Sequence, residues 1–399
     1  MPIPNKIKKN QFFVKIFFMR VNIKSYFTVI FFVLISTFFV WLPFLLRSNF
    51  WYGIEIPNSS FEYIYRNYDG PLYIIPAKTF YHKEAIDKIG FELPLPSKYF
   101  AAHLPFYPFL IRFFGDIFRI FGFSLVYFKA MIFVNLMATI ALTAFFYLLI
   151  TQFKLSKNPL FLSLVFLFIP KFLVVRSIGA PESMFLLLIL LSIYFFEKER
   201  YFLAGLFGGL ATITKTPGIL LFFAYGLVFL EKILKTKKIN WQWMGIFLIP
   251  LGLLTVFELY ALQYGDFFAY FNTGGFVPMP YPFSVFNFRA KWVGTAWIEE
   301  MVFYFFLYGL TVYNLKNSKY RSFFYFSLIF YVAILFVQHK DIPRYSLPLW
   351  PMALISFEKF FTSKKFLIAF LFLLPAIYLF AWNFIVYNII PISNWQPYL

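Results

Sequence analysis

The side chains best suited to chemistry in this sequence are a few polar residues set in an otherwise apolar chain. Asp69 stands in Asn67-Tyr68-Asp69-Gly70-Pro71-Leu72-Tyr73, within residues 47–104, the longest interval between strongly apolar runs. In an Asp-Gly-Pro turn, glycine tolerates positive φ and proline presets the next φ, so the carboxylate has a fixed direction. Cations gather in other polar intervals. Arg176 precedes Pro181-Glu182, Lys215 lies in Thr214-Lys215-Thr216-Pro217-Gly218, and Arg344 closes Gln338-His339-Lys340-Asp341-Ile342-Pro343-Arg344-Tyr345. One acid with several cations is the inventory needed to hold an anionic lipid phosphate while a base activates an acceptor hydroxyl.

The surroundings of these residues are those of a membrane. The chain has 399 residues, 61% hydrophobic, 25% aromatic and only 13% charged, too apolar for a soluble protein of this length. With no cysteine it has no disulfide, no thiolate nucleophile and no zinc-thiolate site. A net charge of +19 would suggest nucleic acid in a soluble domain, but here it lies in short runs beside apolar spans. Topology accounts for it, and the bilayer rather than nucleic acid is the partner.

The expected architecture is a single all-α polytopic membrane domain over residues 1–399 with about 11 transmembrane helices. Residues 1–25 carry Lys6, Lys8, Lys9, Lys15, Arg20 and Lys24 with no acid, a cytoplasmic flank. Spans are expected at 26–46, 125–150, 159–175, 181–196, 201–214, 217–230, 243–262, 297–314, 323–337, 345–357 and 366–389. The first outer loop, 47–104, balances six bases against six acids and carries a short amphipathic helix over 78–90. Residues 104–121 read as an interfacial helix, with a full span as the competing option, and 263–296 as an aromatic outer loop. Lys154 and Lys157, Lys198 and Arg200, Lys232 to Lys238, Lys316 to Arg321, and Lys359 to Lys365 then all fall on the side of the N-terminus. This threading leaves the C-terminus outside a plasma membrane and puts Asp69, Arg176, Lys215, residues 263–296 and Arg344 on one face.

Several motifs along this threading resemble a known family. Asn67-Tyr68-Asp69-Gly70 with Tyr73 looks like the aromatic-Asp motif in the first outer loop of the GT-C glycosyltransferases, in the branch of GPI mannosyltransferase II and its bacterial relatives. His103-Leu104-Pro105-Phe106-Tyr107-Pro108 is similar to that branch's Phe-Pro-Leu-Tyr-Pro element, and Pro181-Glu182-Ser183-Met184-Phe185 to its Glu-Ser-Leu-Phe element. Ala211-Thr212-Ile213-Thr214-Lys215-Thr216-Pro217-Gly218 resembles Leu-Thr-Arg-x-x-Gly with Lys for Arg, Gly265-Asp266-Phe267-Phe268-Ala269-Tyr270 resembles Gly-Asp-Pro-x-Ala-Phe, and Arg344-Tyr345 resembles a late Arg-Tyr pair. Order and spacing agree over residues 26–360. His103 replaces an aromatic, and no second acid adjoins Asp69, so a divalent metal has no acid pair to hold it.

The resemblance implies transfer of a sugar, a hexose such as mannose, from a polyprenyl-phosphate-linked donor to a lipid or glycan acceptor on the outer face, with inversion. Asp69 would be the base. Lys215 and Arg344 would compensate the phosphate charge, His103 or His339 would donate to it, and Tyr73, Arg176, Glu182 and Tyr345 would line the substrate site. Plainer roles stand beside these. Asp69 also suits a structural turn, Glu182 a helix N-terminus and Asp266 an N-cap. Lys215 can snorkel, and Glu258 inside a span can pair with Lys129. A lipid-linked saccharide flippase would share the span count and the cations, though the two related halves expected of a transporter are not visible.

Overall fold

The computed structural model describes residues 23–89, 95–272, 278–287, 289–290, 293, 298–392 and 394–399. Apolar runs become helices because a helix satisfies its own backbone polar groups, which hydrocarbon cannot do. Among the described residues, five segments are long and apolar enough to cross a membrane. They are α1 (Ile23–Leu45), a segment Thr216–Thr236, a segment Trp241–Tyr264, and two long helices, Val126–Gln152 and Lys364–Tyr387. In chain order the other main helices before the first of those long ones are α2 (Gly70–Thr79), α3 (Lys83–Lys88) and α4 (Phe106–Ile120), so Val126–Gln152 is α5. There follow α6 (Pro159–Leu167), α7 (Pro170–Val175), α8 (Glu182–Glu197), α9 (Tyr201–Thr212), α10 (Leu220–Thr236), α11 (Leu248–Tyr264), α12 (Glu300–Leu315), α13 (Arg321–Leu335), α14 (Ile342–Tyr345), α15 (Trp350–Ser356) and α16, which is Lys364–Tyr387. The only sheet among the described residues is the hairpin of Phe50–Trp51 with Ile54–Glu55, turned by Tyr52 and Gly53 at positive φ.

Two runs expected as single spans are broken, each at proline. Residues 159–175 split into α6 and α7 because Pro170 has no N–H to continue the ladder. Residues 345–357 split around Pro348 and Pro351 into a short 3-10 turn, Leu347–Leu349, and α15. The short helix expected over 78–90 is present as α3, shortened to Lys83–Lys88, while α2 begins directly after Asp69 and is separated from it by Phe80 and Tyr81, both left-handed; residue 90 lies outside the described residues. Helix α4 buries Tyr107, Pro108, Ile111 and Gly115 and exposes Phe109 and Phe113. It carries the ion pairs Arg112–Asp116 and Arg119–Asp116.

Glycine lets α9 approach α11 and the 3-10 turn before it, Trp241–Phe247, backbone to backbone. A Cβ on Gly205 would lie 1.8 Å from the carbonyl oxygen of Gly245, and one on Gly209 2.7 Å from that of Leu248. Small residues at helix interfaces allow this close packing without a hydrophobic driving force. Replacing Gly205 with Ala is expected to lower stability by about 1–3 kcal/mol, the usual cost of overpacking. Thermal unfolding in detergent measures it, and an unchanged midpoint would refute the close-packing argument.

The polar segments sort to two ends of the bundle. At one end, Glu231 pairs with Arg321 and Lys235, and Glu358 accepts from Ser156. At the other end the chain stitches together distant parts. The Tyr68 N–H donates to the Asn388 carbonyl at 2.7 Å and that of Ile390 to the Arg66 carbonyl at 2.8 Å. The Lys78 ammonium reaches the Pro397 carbonyl, and the Phe106 N–H the Ile213 carbonyl.

Candidate functional site

Backbone geometry sets the direction of Asp69. The left-handed residue of the Asn-Tyr-Asp-Gly-Pro stretch is Tyr68, with φ of 59°, and not Gly70, which already lies in the first turn of α2. Gly70 is required for a different reason: a Cβ there would sit 2.7 Å from the Gly179 carbonyl oxygen, just before Glu182. The Asp69 carboxylate does not cap α2. It turns to Arg344, whose Nη2 and Nη1 donate to its two oxygens at 3.2 and 3.4 Å.

Arg344 is shared. Its Nε donates to Glu182 Oε1 at 2.7 Å, and Lys215 Nζ reaches the same oxygen at 2.6 Å. Glu182, the first residue of α8, makes no cap bond, so its carboxylate serves as counter-ion to both cations. Its other oxygen is buried without a hydrogen-bond partner among the described residues. The Arg344 guanidinium also lies 4.3 Å above the Tyr68 ring. The Tyr68 hydroxyl donates to Asp341, and Asp341 pairs with Lys171 at 2.7 Å. Asp69, Glu182 and Asp341 thereby balance Arg344, Lys215 and Lys171, and five of these six side chains are less than a fifth exposed. Buried charges persist only when paired in this way.

Beside this network runs a cleft of about 250 Å³. Lys215, Thr216, Tyr73, Tyr270 and Tyr345 form its polar end, and Leu220 of α10, Leu253 of α11 and Phe330 and Ile334 of α13 form apolar walls. Thr216 and Tyr270 share a hydrogen bond of 2.8 Å. The break that exposes Lys215 follows from its neighbours: Pro217 has no N–H, and a Cβ on Gly218 would lie 2.5 Å from the Thr212 nitrogen.

The structure thus brings together Asp69, Tyr73, Glu182, Lys215, Arg344 and Tyr345. His339 lies alongside, its ring edge-on to Tyr345 at 5.1 Å and its Nδ1 accepting the Asp341 N–H at 2.9 Å. Burial lowers its pKa, and an Nδ1 that accepts puts the ring proton of the neutral form on Nε2. His103 packs edge-on against Tyr73 at 4.7 Å, as an aromatic ring would, and is not among the residues that line the cleft, though its neighbours Ala102 and Leu104 are. Arg176 is elsewhere. It is fully buried and donates to Thr37, Ser36 and the Leu167 carbonyl, which the break before Pro170 leaves without a helical donor. Glu258 is exposed on α11 and does not meet Lys129, whose ammonium lies 3.5 Å from the Ser124 hydroxyl. The Asp266 carboxylate accepts the Phe268 N–H and pairs with Lys98. Among the described residues no group of His, Asp and Glu could hold a metal ion.

Compared with protein-family models and with curated proteins, the chain matches none. Its site is therefore read from geometry. Sequence reasoning passed over Lys171 because it lies inside an apolar run taken as a span. A lone lysine at that depth was the available signal, since intramembrane charge needs a partner.

Burial lowers the pKa of His103 to about 4 from its ordinary 6.5. The unfolded chain therefore binds this proton more readily, so stability is complete above pH 6.5 and falls as pH drops toward 4. His103→Phe is expected to remove that part of the acid sensitivity while keeping the ring contact with Tyr73. Unfolding midpoints between those pH values check it, and identical acid slopes for the two proteins would refute it.

Proposed function

We propose that the protein is an integral-membrane glycosyltransferase that moves a hexose from a polyprenyl-phosphate carrier to a lipid or glycan hydroxyl. In this reading the chain crosses the plasma membrane eleven times, with residues 1–25 cytoplasmic and the Asp69 end of the bundle outside. The five long helices make five crossings, and the shorter helices, singly or as proline-broken pairs, make the rest. One observation carries the reading. Asp69, Lys215 and Arg344, from three distant parts of the chain, meet at one charged network beside a cleft whose far walls are apolar.

An apolar cleft ending at a lysine suits a lipid tail with a phosphate at its head. The acceptor oxygen bonds to the anomeric carbon as the bond from that carbon to the phosphate oxygen breaks. The electron pair leaves with the polyprenyl phosphate, whose charge Lys215 and Arg344 offset, and Asp69 takes the acceptor's proton. A phosphate leaving group needs no strong acid, so one carboxylate suffices. Attack from the face opposite the phosphate inverts the configuration.

The test is a proteoliposome assay with purified protein, a series of polyprenyl-phosphate hexoses and added acceptors. The expected result is acceptor-dependent release of polyprenyl phosphate with one of the hexoses. Donor carried across the bilayer chemically unchanged would overturn the reading in favour of a flippase.

A further inference from the structure

We infer that a lateral groove on the far side of α5 from Gly70 binds an anionic phospholipid of the bilayer, with Lys129 as its headgroup site. The groove measures about 340 Å³ and lies between α1, α4 and α5, walled by Trp41, Phe118, Phe123 and Phe133. Along α5 its lining residues run from Lys129, one turn inside the helix start at Val126, to Ile132 and Leu136 in the next two turns. A cation above an apolar trough has the order of a lipid lying along a helix, phosphate first and acyl chain below.

Charge complementarity selects the headgroup. Lys129 Nζ has no carboxylate within ion-pair distance among the described residues; its contacts are the Ser124 hydroxyl at 3.5 Å and the Phe123 ring at 5.2 Å. An ammonium at membrane depth needs a counter-ion. A phospholipid phosphate at the same level supplies one, and a zwitterionic headgroup brings its own cation to compete. The comparison within the molecule supports this. The groove of about 410 Å³ lined by Phe283, Phe286, Phe305 and Tyr331 has no charged residue in its lining among the described residues.

The lipid would brace the site from behind. Met131, adjacent to Ile132 on α5, packs against Gly179 and Gly70, next to Asp69, and its carbonyl accepts the Tyr107 hydroxyl at 2.9 Å.

Native mass spectrometry of the full chain in detergent, titrated with phosphatidylglycerol and with phosphatidylcholine, tests this. The wild type is expected to retain phosphatidylglycerol about five-fold better, on the order of one basic side chain's attraction to an anionic surface. Lys129→Gln should abolish the preference. Ile132→Trp, which fills the trough, should reduce retention of both lipids, and Lys215→Gln should leave the preference intact. Equal retention of the two lipids by the wild type overturns the inference, as does an unchanged preference in Lys129→Gln. Competition by polyprenyl phosphate that Lys129→Gln weakens and Lys215→Gln does not would also overturn it, by assigning the groove to the carrier lipid. None of these outcomes bears on whether Asp69 is a base.

Discussion

Asp69→Asn is expected to lower sugar transfer by about 100- to 10,000-fold, the range in which a positioned general base contributes, while the protein still folds and still binds polyprenyl phosphate. The substitution keeps the shape of the side chain. Its amide oxygen can still accept from Arg344, whose contacts with Asp69 span 3.2 to 3.5 Å and whose stronger bond goes to Glu182 at 2.7 Å. What is lost is the ability to take a proton. Turnover in proteoliposomes measures the loss, and binding of polyprenyl phosphate, read as thermal stabilisation, separates it from damage to the cleft. Transfer within ten-fold of the wild type would remove Asp69 from the mechanism, since that is less than a base supplies.

The second large effect belongs to stability. Glu182→Gln removes the one carboxylate that serves both Arg344 and Lys215 and leaves a neutral group against two cations. Breaking a buried pair by removing one partner costs about 3–5 kcal/mol, because a charge remains in a place that cannot solvate it. Arg344 keeps Asp69, and Lys215, whose side chain is 18% exposed, can turn toward the cleft, so the lower part of that range is expected. A midpoint of unfolding in detergent close to that of the wild type would show that Glu182 is not the keystone of the network. Added polyprenyl phosphate should restore part of the loss, because its phosphate takes the place of the missing carboxylate beside Lys215.

The helical class was legible because apolar length alone decides it in lipid. The meeting of Asp69, Glu182, Lys215 and Arg344 was legible for a related reason. Alternating crossings, as the threading expects them, would deliver alternate loops to the same end, and these four side chains meet in ion pairs. Proline breaks were not legible as such. Residues 159–175 have the composition of one span, and only the folded chain shows that Pro170 ends one helix and starts another. Two misplacements follow from that one break. Arg176, expected among the substrate contacts, answers the Leu167 carbonyl left over by it, and Lys171, inside the run expected as one span, turns inward to Asp341. His103 was expected as a donor to phosphate, but the choice between ring packing and hydrogen bonding depends on Tyr73, whose position sequence does not give.

The strands of backbone that flank Asp69 are fastened to residues 388–390 by main-chain hydrogen bonds, and the Asn67 side chain donates to the Ile385 carbonyl. A chain made by the ribosome from its amino end threads α1 into the bilayer long before those residues exist. This end of the bundle must therefore wait, unlatched, until the last helix has been made. Its closure depends on contacts between residues more than three hundred positions apart, which can form only after nearly the whole chain has been made.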